Sequence, residues 1–258
     1  MLRRIFIFIF LIGFVFKTNA QSTKGKDFWF AYIPNLVSVP PDIYISSDQD
    51  VTGTITVQGI GYTQAVNVVG GTTARYTLPI GAVPPYNEGI HELAVHVETC
   101  EFVTVYAVNP GNASSDATVV FPTSSLGIEY TALNMTGAPN DWGDVVSIVA
   151  TEDNTDIEIT PSVNTDGGEL AGVPFTITLN EGEIYLLRHD NGGDDLTGTT
   201  IKGVNTANCL PFAVFSGSQC INIGGCGACD HLYEQLLPDN NLGLTYAAIP
   251  LAQKNRSH

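Results

Sequence analysis

Cys220, Cys226, Cys229 and His231 form the densest cluster of reactive side chains in this 258-residue chain. Three thiolates and an imidazole could hold zinc; two of the thiols could instead close a disulfide. The strand pattern favours a bridge between Cys220 and Cys229. Cys220 follows one β-type run and Cys229 precedes the next, and adjacent antiparallel strands bring such positions together. Cys226 has no evident partner. Cys100 and Cys209 sit at equivalent places in non-adjacent runs, too far apart for the ~5.5 Å between α-carbons that a bridge needs. An odd count of five leaves at least one thiol free or paired outside the chain.

Other constellations are weaker. His91, Glu92 and His96 imitate a zinc-protease motif, but the histidines are five apart where one helix face needs four. No Gly-x-Ser-x-Gly elbow or phosphate-binding glycine loop occurs. Asp190-Asn191-Gly192-Gly193-Asp194-Asp195 is acidic enough for calcium, yet Ile201 stands where a twelve-residue calcium loop needs Glu. It reads as a solvated turn. Asp116 and Asp230 precede equivalent runs and read as turn caps for backbone N–H groups. His231, Glu234 and Gln235 occur once each, so a polar network under the cysteine loop and part of a ligand site both stay open. No catalytic, cofactor or metal residue is assigned. Three Asn-x-Ser/Thr sequons begin at Asn112, Asn134 and Asn255.

These residues must be carried by strands. Only 14% of the chain is charged, and 26 glycines and 14 prolines supply turns. Acidic residues outnumber basic ones 26 to 10, which argues against a nucleic-acid partner. The apolar fraction of 44% is enough to bury a core. Arg3 and Arg4, the apolar run Ile5 to Phe16 and the small exit residues up to Ala20 describe a secretory signal peptide over residues 1–20. The apolar run is too short to span a membrane, and no later segment is long and apolar enough to do so. The expected place is secreted or at the cell surface.

Short β-type runs then fall into four groups of four, led by Ile43–Ser47, Glu92–Val97, Val145–Ala150 and Thr199–Val204. A four-stranded unit of ~50 residues is near the size of a propeller blade. A longer period is also present: Cys100 and Cys209 are 109 apart, and Pro122/Pro238, Gly127/Gly243 and Tyr130/Tyr246 are each 116 apart. Asp27–Tyr32 resembles Glu129–Leu133 and Thr245–Ile249, and is expected to lie apart from the first group as a ring-closing strand. The fold class is therefore all-β: repeated four-stranded antiparallel units forming part of a β-propeller, with two tandem β-sandwiches of ~110 residues as the alternative. The chain looks like the front of a longer protein, with one β domain over residues 21–258.

Two stretches resemble the IgGFc-binding protein N-terminal domain, a module of secreted mucus proteins and of large bacterial surface proteins. One runs from Val103-Thr104-Val105-Tyr106-Ala107 through Ser114-Ser115-Asp116-Ala117 to Glu129-Tyr130. The other joins Phe212–Gly217 to Cys229-Asp230-His231-Leu232, Glu234-Gln235 and Pro238. Gly25-Lys26-Asp27-Phe28-Trp29 also fits. The resemblance implies binding of immunoglobulin or mucus glycoprotein by some members, and supplies no catalytic residues. The function expected is a non-enzymatic extracellular recognition or adhesion module for a protein or glycoprotein. The alternative is a secreted glycan-active enzyme with catalytic residues partly outside this chain.

Overall fold

A computed structural model describes residues 22–135, 142–189, 195–204, 210–222 and 228–243. The signal-type segment, Asp190–Asp194, Cys209, Cys226, the run Leu244–Ile249 and Asn255 lie outside them.

Alternating β-branched and polar residues make the first half a set of strands: β1 (Lys24–Phe30), β2 (Asp42–Ser47), β3 (Val51–Val57), β4 (Tyr62–Val68), β5 (Thr72–Thr77), β6 (Gly89–His91), β7 (Val95–Asn109) and β8 (Asp116–Val120). The first expected group of four does not form a consecutive meander. β2 and β3 both run antiparallel to the same long β7, Ile45 opposite Val105 and Ile55 opposite Val97. They are two lengths of one bent strand. β4 and β5 pair with β3 and β2 in turn, so the chain reverses only at Gln58–Gly61, where Gly61 takes φ 62°. Asp48–Asp50 and Val69–Gly71 are corners along strands. Their glycines and short polar residues suit a bend and a reversal equally, so composition did not separate the two.

The second half repeats this pairing strand for strand, with β9 (Glu129–Thr131), β10 (Asp144–Ala150), β11 (Thr155–Thr160), β12 (Phe175–Leu179), β13 (Ile184–His189), β14 (Thr200–Gly203), β15 (Phe212–Ile221) and β16 (Asp230–Gln235). β14 and β15 take the place of β7, flanked by β11 and β10. β12 and β13 repeat β4 and β5. β9 stands beside β14 as β1 stands beside β7, with Tyr130 opposite Ile201 and Phe28 opposite Val97. β1 therefore belongs to the first sheet rather than lying apart from it. The repeating unit is the long period, and each ~50-residue group is half a module. All sheets are antiparallel, and this pairing is compatible with the tandem β-sandwich alternative; the strand orders are not those of consecutive four-stranded blades.

Two cores follow. Val146, Ile148 and Val214 meet Tyr130, Ile157, Ile159 and Ile201 inside the second module. The opposite face of the same sheet sends Val145, Val149, Ile184, Leu186 and Phe215 into the first module's core with Phe28, Phe30 and Tyr32. The sheet β6-β13-β10-β15-β16 is thus covered on both faces. Hence β10, β13 and β15 read as unbroken buried runs without the alternation of a half-exposed strand. Val105, Val146, Val214 and Phe215 are all fully buried, as the pattern predicts.

One contact recurs in both modules. A Cβ on Gly25 would lie 2.2 Å from Pro122 Cβ, and one on Gly127 would lie 2.4 Å from Pro238 Cβ. Only glycine lets the chain pass so close to the ring. Gly127→Ala is expected to lower stability by about 1–3 kcal/mol, the cost of overpacking, read as a fall in the thermal midpoint. An unchanged midpoint would contradict the close approach.

Candidate functional site: the seam between the modules

β8 and β16 meet where the modules join, and most residues singled out in the sequence gather there. The outer edge of β16 carries backbone N–H groups at alternate residues. Tyr233 N–H donates to Asp116 Oδ2 at 2.9 Å and Gln235 N–H to Thr118 Oγ1 at 3.0 Å. His231 N–H donates to Ser114 Oγ. Alternate side chains of one segment thus satisfy alternate donors of another strand. Asp116 Oδ1 also accepts its neighbour Ala117 N–H at 2.8 Å. Thr118 Oγ1 donates in turn to Glu234 Oε1 at 3.2 Å, and Gln235 Oε1 accepts Phe121 N–H at 2.7 Å. Burial and the nearby Asp116 charge raise the Glu234 carboxyl above its ordinary range.

His231 is 2% exposed. Its Nε2 accepts from Asn109 Nδ2 at 2.9 Å, which leaves Nδ1–H to donate to Gln219 O at 3.3 Å. Burial lowers its pKa and keeps it neutral. Beside it Tyr233 stacks between Tyr32 and Phe215 and donates its hydroxyl to Ala31 O. Asp230 is exposed at the start of β16. It lies opposite Ile221 beyond a bulge, whereas pairing places Leu232 opposite Ser218, as Asp116 lies opposite Asn109. The alignment of Asp230 with Asp116 is therefore corrected by two residues.

Cys220 and Cys229 form a disulfide with Cα–Cα 5.2 Å. That removes two of the three thiolates of the zinc reading, and His231 has no free nitrogen for a metal. The bridge, Leu36, Val37, Ala113 and Ala228 line an apolar cleft of about 270 Å³. Cys100 is a free, exposed thiol at a distance from this seam. His91 and His96 stay apart: His91 Nε2 meets Asn87 O, and His96 pairs with Asp27 and stacks on Trp29 at 4.0 Å. Of the sequons, Asn134 is occupied by Gly217 O and the Ser216 hydroxyl, while Asn112 is exposed.

The alternating Ser114-x-Asp116-x-Thr118 was legible only as a lone Asp. Its signal is three short oxygen-bearing side chains at period two, a pattern that projects them to one side of an extended chain.

A family model described as IgGFc binding protein matches residues 116–258, more than half of the chain, including β8, the disulfide and β16. The chain belongs to the IgGFc-binding protein family. The human IgGFc-binding protein is 27% identical over 244 residues, covering 93% of this chain and 4% of that protein. The chain thus spans a small part of its relative's length.

A buried carboxyl lies on the same central sheet. Asp144, 5% exposed, accepts from Ser218 Oγ and from Leu196 N–H at 3.3 Å. Burial pushes its pKa up to about 6 despite these bonds. The folded state therefore holds this proton more tightly than the unfolded chain. Stability from this group is full below pH ~4 and falls as pH rises through ~6, by up to about 3 kcal/mol. Asp144→Asn should raise the melting temperature at pH 7.5 and flatten its decline between pH 4 and 6.5; equal pH profiles for variant and parent would contradict this. Replacing Cys220 by Ser should lower stability by about 2–5 kcal/mol while far-ultraviolet dichroism keeps its β signal. A melting temperature equal to the parent's would contradict a stabilising bridge.

Proposed function

We propose that this chain is a non-enzymatic extracellular recognition module that binds a protein or glycoprotein, exported by its residues 1–20. The observation that carries this is family membership, joined to how the seam uses its polar groups. Asp116, His231 and Gln235 are engaged with backbone or buried side-chain partners. The ring nitrogens of His91, His96, His189 and His231 hydrogen-bond carbonyl, carboxylate or amide groups, so none of these bonds activates a hydroxyl or thiol as a histidine base would. A rigid β scaffold with loops at its ends suits recognition. The family's name points to the Fc part of immunoglobulin G as one partner to test; a secreted or surface-bound adhesin is the setting this reading implies.

Purified residues 21–258, made under oxidising conditions, should bind immobilised immunoglobulin G Fc or purified mucin saturably in surface plasmon resonance. The same protein should hydrolyse no glycan, ester or peptide panel above background. Absence of binding to both surfaces, or turnover abolished by changing one carboxylate, would sink the reading.

A further inference from the structure

The two modules differ most in one face, and the difference has a chemical direction. In the second module the outer face of the sheet carries Ile184, Leu186, Val149 and Phe215, all buried against the first module. Strand pairing places Thr73, Arg75, Ser46 and Tyr106 at the equivalent positions of the first module. Among the described residues nothing packs over this face, where Thr73, Arg75 and Tyr106 are exposed. A repeat that merely ends an array replaces apolar residues by polar ones. Here Tyr106 keeps a ring at the position of Phe215, and Tyr44 adds one where the second module has Ser147.

Arg75, Tyr44, Tyr106 and Val119 stand opposite one another in a single row across four strands. Tyr106 is 43% exposed and Phe102 55%, with Lys26 Nζ 5.4 Å from the Phe102 ring centre. Thr73, Ser46 and Thr104 form the next row of hydroxyls. At the end of the aromatic row Arg75 donates through Nε and Nη2 to Asp42, at 2.9 and 2.8 Å, as a planar ion pair.

We propose that this face binds a neutral oligosaccharide, with Tyr106 and Tyr44 as the stacking platform. A pyranose has an apolar C–H face and a rim of hydroxyls. The negative face of an aromatic ring attracts the C–H groups, and a row of hydroxyls beside a planar ion pair can exchange hydrogen bonds with the rim. One strand spacing, about 4.8 Å, is close to the length of one sugar ring, so neighbouring strands present successive contacts to a chain of sugars. Size argues against a protein partner: the open face is roughly 300 Å² from strand spacing and rise, well under the ~800 Å² per partner of a standard interface. A further module is disfavoured by Arg75 and Thr73, which stand where its contact needs Leu and Ile. Charge agrees: Lys24, Lys26 and Arg75 each pair with a carboxylate, leaving a nearly neutral patch on a strongly acidic chain.

This inference rests on the recognition reading and names its ligand class. The test is an array of released neutral and sialylated mucin O-glycans probed with residues 21–258. The parent should bind neutral members. Tyr106→Ala should lower that binding at least tenfold with an unchanged melting temperature, and Tyr106→Trp should preserve it. No glycan bound by the parent, a preference for sialylated members only, or binding indifferent to Tyr106→Ala would overturn the proposal. With no neutral glycan bound, binding to deglycosylated mucin or to Fc that ignores Tyr106 would leave the recognition reading intact while removing the glycan site.

Discussion

Three side-chain oxygens, on Ser114, Asp116 and Thr118, receive the backbone N–H groups of His231, Tyr233 and Gln235. The rest of the structure depends on this ladder. A sheet edge exposes a row of unpaired donors, and burying them without partners costs about 1–3 kcal/mol each. The second module must bury that edge if its central sheet is to pack on the first. Side chains at period two match donors at period two, so the edge is satisfied by a strand that never joins the sheet. Once β16 is held, Tyr233 is fixed between Tyr32 and Phe215, and the face carrying Val145, Val149 and Leu186 closes onto the first core.

The two modules share one pairing scheme and divide the work. The second is a core element, its central sheet enclosed on both faces and its cysteine loop tied by a disulfide. The first keeps one face open, with hydroxyls, an ion pair and tyrosine rings, where the second carries the buried apolar contacts of Val149, Ile184, Leu186 and Phe215. Duplication explains why the Gly–Pro contact recurs at Gly25 and Gly127. Divergence at single positions, such as Arg75 for Leu186, separates a packing face from an open one.

Much of this was readable before the structure. The all-β class, the long period, the likeness of Phe28 to Tyr130 and the Cys220–Cys229 bridge all rest on local signals that survive folding. The four-strand groups did not survive. Asp48–Asp50 and Val69–Gly71 carry turn residues, yet whether a strand reverses or bends there is decided by its neighbour β7, which is distant in sequence. The ladder was half visible: Asp116 reads as a cap in any turn-rich sequence, whereas its role with Ser114 and Thr118 depends on a strand 117 residues away. His231 was ambiguous for the same reason, since its burial depends on Asn109 across the seam.

Amide hydrogen exchange along β16 tests the ladder most directly. A free edge strand alternates, with amides facing β15 slow and the others fast. The structure predicts slow exchange at every residue from His231 to Gln235, and in Asp116→Ala a rise at Tyr233 with Leu232 and Glu234 still protected. Fast exchange at His231, Tyr233 and Gln235 in the parent protein would contradict the ladder and the joining of the modules that is built on it.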